Sequence, residues 1–414
     1  MNILSPSSPK MNILSPSSRE PAGAGVDRTV NKRKKTMNAH RIILTPVFCL
    51  LMFAVSCSIC AMACGGSTGS AGHGPADDDN DDASPADDDN DDDATPDDDD
   101  NNDNDTSPSG DDDDDNDDDL AWSPMASETT ADLSGVWGSA STDVFAVGGL
   151  YSGVIMHYDG FSWSAMTSNV PNRFNGVWGS SSADVFAVGV DGVSQYDGLS
   201  WSGMPTGTDS YLSGVWGSSS SDVFAVGQAY DGEYPAGPAI LHYDGSSWSA
   251  NVDSLAAVSL VGVWGSSVGD VFVVGSNVGP DAAVILHYDG FSWSPKWNEA
   301  SAYLYGVWGN SSSDVFAVGI DAQKSGLILR YDGSLWSAMA CGATAQLNSA
   351  WGSSSADVFA VGGNDTDAVI LHYNGSTWSV MSLISSTWLT GVWGSSATDV
   401  FAVGENGTIL HYGG

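Results

Sequence analysis

The stretch "GVWGSSSADVFAVG", Gly176–Gly189, is one of seven copies that differ by small changes. Its tryptophan falls at Trp137, Trp178, Trp216, Trp264, Trp308, Trp351 and Trp393, at spacings of 41, 38, 48, 44, 43 and 42 residues. Six residues after each stands an aspartate: Asp143, Asp184, Asp222, Asp270, Asp314, Asp357 and Asp399. Each copy then carries an "ILHYDG"-like element centred on Tyr158, Tyr196, Tyr243, Tyr288, Tyr331, Tyr373 or Tyr412. Five residues after the first six tyrosines comes a second tryptophan: Trp163, Trp201, Trp248, Trp293, Trp336 and Trp378. A fixed period in this range marks a repeat architecture before any finer reading.

Every copy contains four short apolar or aromatic runs separated by Gly, Ser and Asp turns, which predicts four strands. They are a (LxGVWG), b (DVFAVG), c (ILHYDG) and d (WSxM). Run b is apolar on both alternating faces, as a strand covered on both sides must be. The density of Gly and β-branched residues within the runs excludes helices. Four-stranded units of this length are the signature of a propeller blade, and seven make a closed ring. An open solenoid needs polar capping repeats, and the chain has none. The predicted fold is an all-β, seven-bladed β-propeller over residues 120–414.

The seventh copy ends at "ILHYGG" without a strand d, while an unpaired d-like run, "LAWSPM" (Leu120–Met125), precedes the first copy. Trp122 lies 15 residues before Trp137, and the same gap is 15 in five later joins and 16 in the sixth. The N-terminal run is therefore in register to complete the last blade. That closure removes the exposed sheet edge that invites aggregation.

Spacing also sorts the two faces. The Asp-to-Tyr distance between b and c varies (15, 12, 21, 18, 17, 16 and 13), whereas the other intervals hold nearly constant. In an up-and-down blade the b–c and d–a connections share one face, so that face carries all the variable loops. Binding residues concentrate on such loops. Five residues before the strand a tryptophan the copies read Asp132, Arg173, Tyr211, Ser259, Tyr303, Gln346 and Trp388. This position varies through acid, base, amide and aromatic between near-constant neighbours. It is the expected ligand-reading rim, with Tyr230, Tyr234, Lys296 and Trp297 on adjoining loops.

Other repeated polar residues point to structure. His157, His242, His287, His372 and His411 share one position on strand c, but each belongs to a different blade, so the five cannot converge on one metal ion. Gln195 and Arg330 stand there in blades 2 and 5. What the three residue types share is hydrogen-bond donation, to a turn or to the strand b aspartate. The seven strand b aspartates follow Ser-rich turns, where a carboxylate accepts turn amides. No metal, cofactor or catalytic constellation is expected.

The remainder of the chain differs in composition. Of the 12 basic residues, seven precede Met37 and an eighth is Arg41. Residues 1–36 contain the duplicated "MNILSPSS" and are either a basic leader or untranslated sequence, with Met37 the true start. Residues 37–63 carry an uncharged apolar run, Ile42 to Ala63, after basic residues, as a secretory signal does; a membrane anchor is the rival reading. "AMACGGS" resembles the lipobox of bacterial lipoproteins, with Cys64 the lipidated residue and Cys57 the alternative; Ala stands where Leu is usual. Cleavage after Ala63 without lipidation is the further alternative. Residues 64–119 hold 25 Asp and no basic residue between Asp77 and Asp119, which predicts an extended, disordered tether. From Leu120 onward, 25 acidic residues face four basic ones (Arg173, Lys296, Lys324 and Arg330), a net of −21. That charge argues against nucleic-acid binding. Only Cys341 lies in the body, so no disulfide can form within it.

The motifs "GVWGSS", "DVFAVG" and "LHYDGSSW" resemble tectonin-like and BNR-like propeller repeats, although the Asp-box form S-x-D-x-G-x-x-W is not matched. The resemblance implies glycan binding, since tectonin-like propellers include sugar- and lipopolysaccharide-binding lectins. Three functional readings follow. The first is an envelope or surface lipoprotein, alternatively extracellular, whose monomeric propeller binds a glycan or cell-surface protein without cofactor or catalysis. Another is a carboxylate-dependent glycoside hydrolase using Asp132 with Asp231 or Glu233. The third is a structural or assembly protein of the envelope. A sialidase is disfavoured, because its arginine triad has no counterpart among two body arginines.

Overall fold

The computed structural model describes residues 120–168, 173–231, 234–250, 258–277, 282–385 and 387–413. The expected leader, signal segment, lipidation cysteine and acidic tether lie outside these residues. The described chain folds into seven four-stranded antiparallel sheets. Blade 1 is typical, with strands Leu133–Ala140, Asp143–Gly148, Val154–Tyr158 and Trp163–Ala165 running outward from the axis. Strand a of each blade lies beside strand a of the next, and the last, Leu389–Ser396, lies beside the first. The ring is closed.

The last blade is completed from the other end of the chain. Ala121–Pro124 pairs antiparallel with Ile409–Gly413, placing Ala121 opposite Gly413, Trp122 opposite Tyr412 and Pro124 opposite Leu410. The Met125 amide donates to the Ile409 carbonyl at 2.9 Å. Trp122 thereby occupies the same place relative to Tyr412 as Trp163 does to Tyr158. Pro124, which has no amide proton, sits on this outermost strand, where edge positions tolerate it.

Strand b supplies the core. Val144, Phe145, Ala146 and Val147 are all buried, and the same four positions are buried in every copy. Both faces of this strand are covered because each blade is stacked between two others. Burial of each Val or Phe contributes roughly 1.5–3 kcal/mol, so the repeated DVFAVG run is the principal source of stability.

The blades interlock through a repeated aromatic set. At the first seam, Trp137 stacks on Phe145 of its own blade, and Tyr196 and Trp201 of the second blade close over Phe145, Trp201 edge-on at 6.4 Å. Offset and edge-to-face geometries are those that aromatic quadrupoles favour. The tip of the Trp137 ring rests on Gly179 of the next blade, where a Cβ would stand 2.6 Å from it. Equivalent contacts join all seven seams, including Trp393 on Gly138 where the ring closes. The glycine after each strand a tryptophan is required by this approach. Trp122 takes the edge-on role against Phe359 at 6.1 Å and 80°, so the N-terminal strand also closes the seam between blades 6 and 7.

Deletion of Leu120–Met125 should lower the melting temperature of the whole ring in one transition, whereas shortening the acidic tract should leave it unchanged. W122A, removing a half-buried indole, should cost about 2–3 kcal/mol. Thermal unfolding followed by circular dichroism measures both, and unchanged melting after the deletion would refute the closure.

Candidate functional site

Each strand a contains two bulges, and these direct its polar side chains. In every blade the register to strand b slips between the fourth and second residues before the tryptophan. The residue left out of the ladder is Ser134, Asn175, Ser213, Val261, Tyr305, Asn348 or Thr390. A bulge re-aims its extra side chain, and these seven line the axial cavity, a space of about 210 Å³. Several of them join neighbouring blades. Asn175 Nδ2 donates to the Leu212 carbonyl and Asn348 Nδ2 to that of Leu389, each at 2.7 Å. Thr390 Oγ1 donates to the Leu133 carbonyl at 2.6 Å across the closing seam. Burial, then the neighbouring Tyr303, pushes the Tyr305 phenol well above its ordinary range.

The second bulge falls two residues after each tryptophan and in six blades presents a serine to the strand b aspartate. Ser180 Oγ donates to Asp184 Oδ2 at 2.6 Å, and Ser139, Ser218, Ser266, Ser353 and Ser395 do the same in their blades. The other carboxylate oxygen bonds the strand c residue. His157, His242, His287, His372 and His411 approach through Nε2 at 2.6–2.7 Å. Gln195 Nε2 makes the same contact with Asp184 at 2.7 Å, and Arg330 Nε with Asp314 at 2.7 Å. Donation to strand b explains why His, Gln and Arg interchange there. The carboxylate lies between serine and histidine, so the histidine does not contact the hydroxyl and cannot activate it as a catalytic base.

The expectation that strand b aspartates accept turn amides is corrected: they accept these side chains instead. Turn amides are taken by the aspartates of the c–d turns. Asp159 Oδ1 accepts from Phe161 N and Ser162 N at 2.9 Å each. Donation from the Ser162 and Phe161 amides holds the Asp159 carboxyl below its usual range, and Asp197, Asp244 and Asp289 are lowered by the same two-amide arrangement.

The seven rim residues stand at or next to the first residue of their inner strands, at the variable-loop end, and none of them lines the axial cavity. Two reach the bulged residues below. Gln346, buried, donates through Nε2 to Asn348 Oδ1 at 2.6 Å, and Tyr211 donates its hydroxyl to Asn175 Oδ1 at 3.4 Å. Trp388 lies on the backbone of Gly363 in the preceding blade, where a Cβ would meet its ring at 1.8 Å. Arg173, Ser259 and Tyr303 are half-buried.

The four adjoining residues all lie in strands. Tyr230 is in the long strand Asp222–Asp231, with its hydroxyl donated to Gln228 Oε1 at 3.3 Å, and Tyr234 opens the facing strand. Lys296 is the exposed bulge residue of the outermost strand Trp293–Ala300, and Trp297 packs half-buried against the core shared by blades 4 and 5. These last two stand away from the axis. Glu233 lies outside the described residues.

Sequence spacing did not reveal Glu405. It sits in the short b–c connection of blade 7, a 3₁₀ turn at Glu405–Gly407. Asp132 Oδ1 accepts the Asn406 amide at 2.9 Å, which draws the two carboxylates together. Burial first, and then the Asp132 charge, raise the Glu405 carboxyl above its ordinary value. The only signal in the sequence was an acid in a variable loop. Folding with an ionised Glu405 is therefore unfavourable, and the cost appears as pH rises through the carboxylate range. E405Q should raise the melting temperature at pH 7 and leave it unchanged near pH 3.5, where the native glutamate is neutral. Equal effects at both values would contradict this coupling.

No protein-family profile matches the chain, and no curated protein sequence matches it. Solved structures do. YCF48 from Cyanidioschyzon merolae aligns at 13% identity and a TM-score of 0.54, covering 71% of this chain and 99% of that one. YCF48 bound to D1 peptide aligns at 16% and 0.55, covering 71% and 95%. Virginiamycin B lyase from Staphylococcus aureus aligns at 11% and 0.55, covering 70% and 98%. At these identities the likeness is one of fold, shared by binding proteins and an enzyme alike, and it establishes the chain as a seven-bladed β-propeller.

Proposed function

We propose that this protein is a non-catalytic binding module, exported and held at the cell envelope by a lipid on Cys64 (Cys57 the alternative), which takes a partner on its variable-loop face. One observation carries the reading. The repeated polar groups are engaged in holding the ring, and the chemically diverse positions gather on one rim: Asp132, Arg173, Tyr211, Tyr303, Gln346 and Trp388. Fold alone decides no function, so the argument rests on that rim. A sugar bound once per blade would call for the same residue in each copy. A rim that changes from blade to blade suits one extended, heterogeneous ligand, and a polypeptide segment has that character. The propeller of YCF48, solved bound to D1 peptide, supports the reading by analogy of fold.

Glycan binding is the second reading, favoured by the aromatic rings of Tyr211, Tyr303 and Trp388 among polar neighbours. The Asp132–Glu405 pair is the feature that a glycoside hydrolase would use.

The full chain should select binding peptides from a displayed random library, and Y303A/W388A should weaken the selected peptides about tenfold or more. The same chain on a glycan array, with and without these changes, tests the second reading. Turnover of a glycoside panel lost in D132N or E405Q would establish the enzyme instead. Peptides bound equally by wild type and Y303A/W388A would contradict the rim.

A further inference from the structure

The face opposite the variable loops is uniform in length but not in chemistry. Antiparallel order places every c–d turn there. Two residues before each strand d tryptophan stand Phe161, Leu199, Ser246, Phe291, Ser334, Ser376 and, at the break in blade 7, Leu120. Phe161, Leu199 and Phe291 are 92%, 90% and 93% exposed, and Leu335, one residue later in blade 5, is 57% exposed. A single exposed apolar residue needs no explanation. Four on one face, at equivalent turns, form a pattern.

The backbone that carries these tips is held in place. The amides of Phe161, Leu199, Phe291 and Leu335 each donate to the turn aspartate of their own blade, at 2.9–3.0 Å. These bonds fix the backbone of each turn, and a turn set before binding reduces the ordering cost of association. The same bonds keep the aspartates ionised; Asp332 is held at about 2, first by the Ser334 hydroxyl and then by the Leu335 and Ser334 amides. Each apolar tip therefore stands two or three residues from a permanent carboxylate.

Charge identifies what can cover this face. No Lys or Arg occurs in the a–b or c–d turns. Arg330, on strand c, is already bonded to Asp314. The chain joins the ring at Ala121, opposite Gly413 and so on this same face, directly after eight aspartates between Asp111 and Asp119. A second copy would bring the same carboxylates, and an anionic bilayer would be repelled. We propose that this face docks a second partner, a basic and apolar polypeptide segment. Its Lys and Arg side chains meet the turn carboxylates, and its apolar side chains cover Phe161, Leu199, Phe291 and Leu335. The inference is independent of the rim reading, which concerns the other face.

The test uses changes that the repeat itself contains. F161S/L199S/F291S/L335T takes Ser from Ser246 and Ser376 and Thr from Thr377, the residue at the Leu335 position in blade 6. D159N/D197N/D289N/D332N takes Asn from Asn374, whose Oδ1 accepts the same two turn amides at 3.0 Å. The probe is a synthetic amphipathic peptide of Leu and Lys, with a Leu/Glu counterpart as control, titrated against the full chain. The wild type should bind the Leu/Lys peptide and not its counterpart, and either quadruple variant should weaken binding about tenfold or more. A tip variant that binds as tightly as wild type would overturn the proposal, because charge alone would then account for the attraction. No binding by the wild type would overturn it equally. Flotation with phosphatidylcholine vesicles lost in the tip variant would assign the face to lipid. A wild-type dimer lost in that variant would assign it to self-association. Either result would replace the proposal.

Discussion

The structure depends on one contact made seven times: an indole ring of one blade laid on a glycine of the next. A tryptophan is long enough to reach across the seam only if the facing residue has no side chain, so Trp and Gly are coupled as neighbours in sequence and partners in space. The contact lets each inner strand stand close to the next. The Phe, Tyr and second Trp then fill the outer part of the same seam. Because Trp122 comes from the strand that precedes blade 1, the seam between blades 6 and 7 is completed only when that strand pairs with Ile409–Gly413.

That uniform scaffold frees the remainder of the molecule. Each strand b carboxylate is bonded to a strand c donor, and in six blades to a serine as well. In blade 5 Asn310 replaces the serine, Arg330 replaces the histidine, and Asp314 keeps its bond to strand c. The repeat tolerates such exchanges wherever the replacement can still donate to the carboxylate. Positions outside the seams and this bond network carry no such requirement, and they lie at the two ends of the blades. One end bears loops of unequal length and a rim of unlike side chains, the other rigid turns with carboxylates and apolar tips.

Much of this was legible in the sequence because the period left little freedom. Trp122 was placed by its 15-residue gap to Trp137, and the strand c histidines by their exchange with Gln195 and Arg330. The two bulges were not legible. Strand alternation cannot register an extra residue when the same extra residue occurs in every copy, so Asn175, Tyr305 and Asn348 were passed over for the position two residues earlier. Glu405 was hidden for a different reason, since its neighbour Asp132 is 273 residues away and only ring closure brings them together. Phe161 and Phe291 stand in the short turns between the c and d runs, and sequence alone does not show that they are left uncovered there.

The most direct measurement is equilibrium unfolding of a chain with one seam glycine changed to alanine. In G217A, the new methyl meets the Trp178 ring at 2.6 Å and the Asp222 carbonyl at 2.8 Å, and overpacking of this kind costs about 1–3 kcal/mol. If the seams act together, circular dichroism and tryptophan fluorescence will report one shared transition shifted to lower denaturant. An unshifted midpoint, or a fluorescence change confined to part of the ring while the circular dichroism transition stays in place, would contradict the account.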